Sequence, residues 1–325
     1  MGLSVHRANK YRQPTIRLPP PKPTYAACKQ LDMAIAIVFF SPVGWKLPRQ
    51  HYHTIVDDCE SAGYPVYTLE LTGIDNKVRS TGNRKIIKSD HVMFHKENLQ
   101  NILEDQFIPQ KFQKILFLDA DVYFSNPHWY SDASAELEQS DLLQPYSRAI
   151  WVDQLGSVHS TSTQGSKESS ASAISRGDVP SLGITHPGFA WAFRRPFFKR
   201  IKGFFDQHLA GGGDSAFISA LRENPTAPSL NKDFAFKKSA AFARYAAQLR
   251  WQEPVVSFVA GEAVHMYHGP FDRRQYHDRC DYLPTVDSKS GNYPVHYRED
   301  GLLEWDSDLY SDRMRMYFQQ REEDA

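Results

Sequence analysis

Two aspartates stand two positions apart directly after a short apolar run, Lys114-Ile-Leu-Phe-Leu118 followed by Asp119-Ala-Asp121. Side chains alternate along an extended chain, so residues at this spacing can emerge on the same side of a strand end. Two hard oxygen donors there suit Mg²⁺ or Mn²⁺, and such an ion would hold the two phosphates of a nucleotide-sugar. A polar turn is the plainer account, since Asp-x-Asp arises by chance in many chains. The context favours chemistry: a buried-strand pattern precedes the pair, and Val122-Tyr-Phe-Ser-Asn-Pro127 follows it.

Two further groups suit the same chemistry. Gly211-Gly-Gly-Asp214-Ser215 puts a carboxylate after three glycines and at the start of an expected helix, Ser215 to Leu221. Glycines let the backbone approach another group closely. Asp214 is either the N-cap of that helix or a general base that takes a proton from an acceptor hydroxyl. A cap needs no glycine triplet before it, which favours the base. His265-Met-Tyr-His268-Gly269 ends an apolar run holding Val255, Val256, Phe258, Val259 and Val264. Either imidazole can give a nitrogen to the same ion, although a lone His is more often a packed core residue. The His-Glu-x-x-His pattern of zinc proteases is absent. Arg273, Arg274 and Arg279 follow and suit the neutralisation of phosphates, with a solvated helix face as the bland alternative.

The elements that must position these residues read as α/β. Met33-Ala-Ile-Ala-Ile-Val-Phe-Phe40 is continuously apolar and predicts a strand buried on both faces. A helix is expected from about Pro48 to Ala62, with Ile55, Val56 and Cys59 on one side and Gly63 as its stop. Pro65 to Leu71 alternates and predicts a second strand, which completes a βαβ unit with parallel strands. A helix over Glu97 to Phe107 and the strand Lys114–Leu118 extend the pattern. In doubly wound sheets ligands gather beyond the carboxyl ends of the strands, where both Phe39–Pro42 and Asp119–Asp121 fall. Residues 156–175 are so rich in Ser, Thr and Gly that they predict a mobile loop, either a lid or plain disorder. Residues 1–30 read as a basic, poorly ordered arm, and the end of the chain as a charged helical extension with Leu309, Met316 and Phe318 as docking residues.

Composition narrows the function classes. With 38 basic and 38 acidic residues the chain lacks the basic excess of a nucleic-acid or membrane-surface binder. Its 41% hydrophobic content is that of an ordinary globular protein, and no apolar run reaches the length of a membrane span. Cys28, Cys59 and Cys280 are odd in number and far apart, which predicts no disulfide framework and a reducing, cytoplasmic setting.

From about Ile35 to His268 the order of these features resembles the GT-A glycosyltransferases, particularly the β-1,4-galactosyltransferase and polypeptide GalNAc-transferase type and related bacterial and viral glycosyltransferase-like proteins. The resemblance implies a GT-A (nucleotide-diphospho-sugar transferase) fold, a mostly parallel central sheet flanked by helices, over residues 31–295, with the extension over 296–325. It implies that the loop Phe40, Ser41, Pro42 holds the nucleotide base. The Phe94-His95-Lys96 pattern matches a Phe-x-basic helix start, so Lys96 would contact the donor. Asp121 is then the expected metal ligand and Asp119 lies nearer the donor sugar or ribose. His268 matches the late metal-binding histidine better than His265 does. His186-Pro-Gly-Phe-Ala-Trp191-Ala-Phe and Gly211-Gly-Gly-Asp214 follow the order of the acceptor-side region, which places Trp191, Gly212 and Gly213 there. That region typically ends in Gly-Gly-Glu-Asp, with the Asp as base, and this chain has Gly213 where the Glu would be.

The expectation is therefore a metal-dependent glycosyltransferase that moves a sugar from a nucleotide-sugar, a UDP-sugar in particular, to a carbohydrate or glycoconjugate hydroxyl. Mn²⁺ or Mg²⁺ would be held by Asp121 and His268, with Asp119 and His265 as further candidates, while Arg274 contacts the donor and Asp214 acts as base for an inverting displacement. A retaining transferase and a non-catalytic carbohydrate-binding descendant are the alternatives. A sugar-nucleotide pyrophosphorylase would need a Gly-rich, Arg-containing loop after the first strand, and Ser41-Pro-Val-Gly-Trp45 is not one.

Overall fold

A run with no polar face has nothing to turn to solvent, and Met33–Phe40 accordingly forms a central strand, β1, of which only Phe40 is not fully buried. Alternate side chains serve opposite sides of the sheet. Ala34, Ala36 and Val38 enter one apolar cluster, while Met33, Ile35, Ile37 and Phe39 enter the other. Full burial of such a side chain contributes about 1.5–3 kcal/mol, so this strand anchors both halves of the core. The computed structural model describes residues 18–159, 165–181, 183–222, 240–276, 278–284 and 293–325.

Helix α1 (Leu47–Ser61) follows and buries Tyr52, Ile55, Val56 and Cys59 on one stripe. Strands β2 (Val66–Thr72) and β3 (Arg84–Lys88), helix α2 (Lys96–Ile102) and strand β4 (Lys114–Leu118) come next. Beyond them lie β5 (Val122–Phe124), α3 (Trp129–Glu136), β6 (Leu142–Gln144), β7 (Arg148–Trp151), β8 (Ser166–Ser169) and α4 (Ser170–Ser175). The chain continues through β9 (Thr185–His186), β10 (Ala190–Arg194), α5 (Arg195–Arg200), α6 (Gly213–Leu221) and α7 (Ala240–Trp251). It closes with β11 (Val256–Phe258), β12 (Glu262–His265), a hairpin of β13 (Val295–Tyr297) and β14 (Leu303–Trp305), and α8 (Asp308–Gln320).

The central sheet has the order β11-β6-β10-β4-β1-β2-β3 and is parallel except for β10, which runs antiparallel to both its neighbours. A second sheet, β5-β12-β7-β8-β9, stands beside it. The molecule is thus an α/β protein with a mostly parallel central sheet flanked by helices. Between β4 and β5 the chain passes from one sheet to the other within the tripeptide Asp119-Ala-Asp121.

Three expectations need correction. Residues 166–175 are not loop: they form β8 and α4, with Ser169 to Ile174 buried. Low hydrophobicity suggested disorder, but small Ser and Ala side chains let the backbone pack closely and cap itself. Ser169 Oγ accepts from the Ser172 amide at 3.1 Å, and Gln144 Oε1 accepts from the Ala171 amide at 2.9 Å. Residues 160–164 lie outside the described residues. In the basic arm, residues 18–30 dock: Tyr25 is buried against Trp129, and its hydroxyl oxygen accepts from the Phe124 amide. Residues 1–17 lie outside the described residues. The C-terminal extension begins with the β13–β14 hairpin, and α8 docks through Ser311, Met314, Tyr317 and Phe318. Those positions make one helical stripe, which leaves Leu309 and Met316 exposed. Cys28 and Cys59 form no disulfide. Among the described residues no helix is long and apolar enough to cross a membrane.

Candidate active site

The crossing from β4 to β5 sends the two aspartates in different directions. Asp121 directly precedes β5, whose Val122 pairs with His265 at the end of β12. That antiparallel register delivers the Asp121 carboxylate to the imidazole: His265 Nε2 lies 3.5 Å from Asp121 Oδ2. His268, three residues on, brings its Nε2 to 2.8 Å from the same oxygen and 3.2 Å from His265 Nε2. Asp121, His265 and His268 therefore offer ligand atoms that all lie within 4.8 Å of one another. The second carboxylate oxygen, Asp121 Oδ1, is buried with no hydrogen-bond partner. Two nitrogens and a carboxylate converging on one point, with an orphaned oxygen beside them, are the donor set of a divalent cation of the Mn²⁺ type. The residues fit such an ion.

The outer contacts are built as well. Glu323 Oε2 lies 3.0 Å from His268 Nδ1, which fixes the ring and leaves Nε2 to face the cluster. Glu323 reaches this position because the chain at Glu322–Glu323 lies flat against Gly269, where a Cβ would come within 2.6 Å of the Glu322 carbonyl oxygen. Gly269 has φ 79°, so its backbone also favours glycine. Arg274 is buried and donates to His268 Nε2 at 3.0 Å. Burial alone would push Asp121 up, but His265, His268 and Arg274 hold it well below the usual carboxylate range. Burial pushes His265 down to about 3, against the pull of Asp121.

Asp119 goes elsewhere, and it is not a member of the metal cluster. Its carboxylate accepts from Lys96 Nζ at 2.9 Å, and Asp214 accepts from the same ammonium at 3.1 and 3.2 Å. Adjacent strand-end positions at a chain crossing need not share a side, which is why the spacing misled. Burial, with Asp214 and Asp121 adding to it, pushes Asp119 up to about 7 against the pull of Lys96. Lys96 opens α2 and is driven well above its ordinary value by the carboxylates around it, despite its burial.

Asp214 is not an N-cap. The cap position of α6 is Gly212, with φ 97°, and no side chain caps the helix. Asp214 instead lies over Gly188, where a Cβ would meet its Oδ2 at 2.4 Å. Tyr146 pins that glycine by donating to its carbonyl oxygen at 2.6 Å. Next to it, Phe189 holds φ 72°, a strained geometry for a bulky residue, and its ring stacks on His265.

Phe40, Ser41 and Pro42 line a hollow together with Arg315 and His95. Phe40 meets Phe94 edge to face, which ties this hollow to the start of α2. Trp191 is a core residue rather than an acceptor-side one: it is 3% exposed, packs on Phe217, and donates its indole N–H to the Pro187 carbonyl. Its position on β10 between β4 and β6 encloses it. Gly212 and Gly213 do stand beside Asp214, at the head of α6. Arg273 lies at the surface near Glu322, and Arg279 stacks over Tyr276. The residues that spacing did not disclose are Glu323 and Glu97; the first joins His268 from 55 positions away, and no local pattern could signal it.

No protein-family model matches the chain, and no curated protein matches it. Solved structures to which the chain is similar include the catalytic domain of Drosophila β-1,4-galactosyltransferase 7 in complex with xylobiose. That match is 12% identical over 88% of this chain and 98% of that one, with a TM-score of 0.37. A mutant of the same enzyme in complex with manganese, UDP-Gal and xylobiose is 14% identical; 59% of this chain and 61% of that one are covered, under two thirds of its length, with a TM-score of 0.35. Mannosyl-3-phosphoglycerate synthase from Rubrobacter xylanophilus is 11% identical over 84% of each chain, with a TM-score of 0.37.

Proposed function

We propose that the protein is a metal-dependent glycosyltransferase that moves a hexosyl or N-acetylhexosaminyl group from a UDP-sugar to a carbohydrate hydroxyl, with inversion. The observation that carries this reading is the convergence of Asp121, His265 and His268 on one point, next to an orphaned carboxylate oxygen. These three residues would hold Mn²⁺ or Mg²⁺, and the bound ion supplies Lewis-acid stabilisation of a departing diphosphate. Arg274, adjacent to that cluster, adds a fixed positive charge for phosphate oxygens. The hollow behind Phe40, Ser41 and Pro42 receives the base. Lys96 is held between Asp119 and Asp214 and keeps the two carboxylates together. Asp214 takes the proton from the attacking hydroxyl, and Asp119 accepts hydrogen bonds from the donor sugar.

Thermal-shift and calorimetric titration with UDP and UDP-sugars, with and without Mn²⁺, test this reading. The parent protein should bind UDP only with Mn²⁺, and Asp121→Ala should lose that binding while melting near the parent temperature. Equal binding by parent and variant would refute the assignment.

A further inference from the structure

Glu97 is a charged residue in the first turn of α2, yet it is only 4% exposed. A glutamate at a helix start ordinarily faces water and interacts with the helix dipole. Here its Oε2 is buried without a hydrogen-bond partner. The Lys96 ammonium pairs with Asp119 and Asp214. The Glu97 carboxyl occupies the volume that a side chain at position 213 would fill: a Cβ on Gly213 would lie 1.9 Å from Glu97 Oε1 and 2.1 Å from Cδ. Gly213 is the residue directly before Asp214, so Glu97 lends a carboxyl to the head of α6 from another helix.

Building on the transferase reading, we infer that Glu97 is an acceptor-binding residue: its carboxyl hydrogen-bonds a hydroxyl of an incoming sugar beside Asp214, in the place of the side chain that Gly213 lacks. A buried polar atom left unsatisfied is costly and calls for an explanation, and this one stands among Lys96, Asp214 and Asp119. Burial, with Asp214 and Asp119 adding to it, raises Glu97 to about 8 against the pull of Lys96. Lys96, Asp119, Asp214 and the Tyr245 hydroxyl are the titratable groups whose charges it feels. A carboxyl that keeps its proton both donates and accepts, which matches neighbouring hydroxyls on a sugar ring.

The test compares the parent with Glu97→Gln, Glu97→Ala, Gly213→Glu and the double variant Glu97→Ala/Gly213→Glu. Three quantities are read: UDP–Mn²⁺ affinity, hydrolysis of the bound UDP-sugar by water, and its transfer to free xylose, glucose, galactose or N-acetylglucosamine. Glu97→Ala should leave the first two near parent values and raise the acceptor KM by about tenfold or more, the scale of one buried hydrogen bond. Glu97→Gln should lie between it and the parent, since an amide still donates and accepts. Gly213→Glu alone should lower the melting temperature and abolish transfer, because both side chains claim one volume. The double variant should regain transfer, since the carboxyl returns to the same place. An unchanged acceptor KM in both Glu97 variants overturns the inference, as does a loss of UDP binding in step with transfer, which would make Glu97 a structural residue. A parent that transfers to none of the sugars refutes a carbohydrate acceptor, and a parent that binds no UDP refutes the transferase reading beneath it.

Discussion

Asp119 and Asp121 are two positions apart in the chain, yet they belong to clusters of opposite design. Around Asp121, two imidazoles and a carboxylate point at one place, and one buried oxygen has no partner. Around Asp119, the cation is already present as Lys96, shared with Asp214. The first is a set of ligand atoms facing one point, and the second is an ion pair in which two carboxylates share one ammonium. The difference comes from the chain's crossing between two sheets, which puts one carboxylate on each side of the step. Two acids in a short motif are therefore not one site by virtue of spacing; what each faces decides its chemistry.

The comparison predicts separable losses. The largest is chemical and belongs to the Lys96 cluster. Asp214→Asn keeps the shape of the side chain, and no cap is lost because Gly212 holds that position. The variant should melt near the parent temperature and bind UDP–Mn²⁺ normally, while its transfer rate falls about a hundredfold or more, the scale of losing general acid–base catalysis. Full activity would move the base elsewhere.

A smaller effect belongs to the metal cluster. Glu323→Gln removes the carboxylate that orients His268 but no ligand. Loss of such an outer partner typically costs about ten- to a hundredfold in metal affinity. Mn²⁺ titration should show that weakening with the transfer rate at saturating Mn²⁺ little changed. An unaltered affinity would mean that His268 needs no such support.

The smallest effect is a pH slope. Glu97 has its ordinary value of 4.5 in the unfolded chain and about 8 in the folded one. Between those values the folded state binds a proton that the unfolded state has released, so this group's contribution to stability falls as pH rises and levels off above about 8. The slope is at most about 1.4 kcal/mol per pH unit. Denaturant titrations should show it in the parent and lack it in Glu97→Gln; identical slopes would show that Glu97 is ionised throughout.

Much of the framework was legible because it rests on local rules. The apolar run of β1, the stripe of Ile55, Val56 and Cys59, and the Asp-bearing end of β4 each carry their structure in a few consecutive residues. His265 was within reach of the same rules because it ends β12, with His268 three residues beyond it. What escaped depends on distant partners. Spacing could not show that Asp119 would meet Lys96, that Glu97 would fill the space at Gly213, or that Gly212 would take the cap from Asp214. Composition misjudged β8 and α4, whose small side chains are buried by close packing rather than by apolar bulk.

The segment Arg321–Asp324 has a consequence for the order in which the molecule assembles. Asp324 accepts from the Lys46 and Leu47 amides at the start of α1, the first of these across 278 positions of sequence, while Glu323 orients His268. Closing a loop costs entropy that grows with its length, and contacts of such separation form only after nearer ones have drawn the ends together. The parallel core of β1, β2 and β4 needs none of these distant ties. These distant ties are expected to form after the sheet, and the orientation of His268 by Glu323 with them.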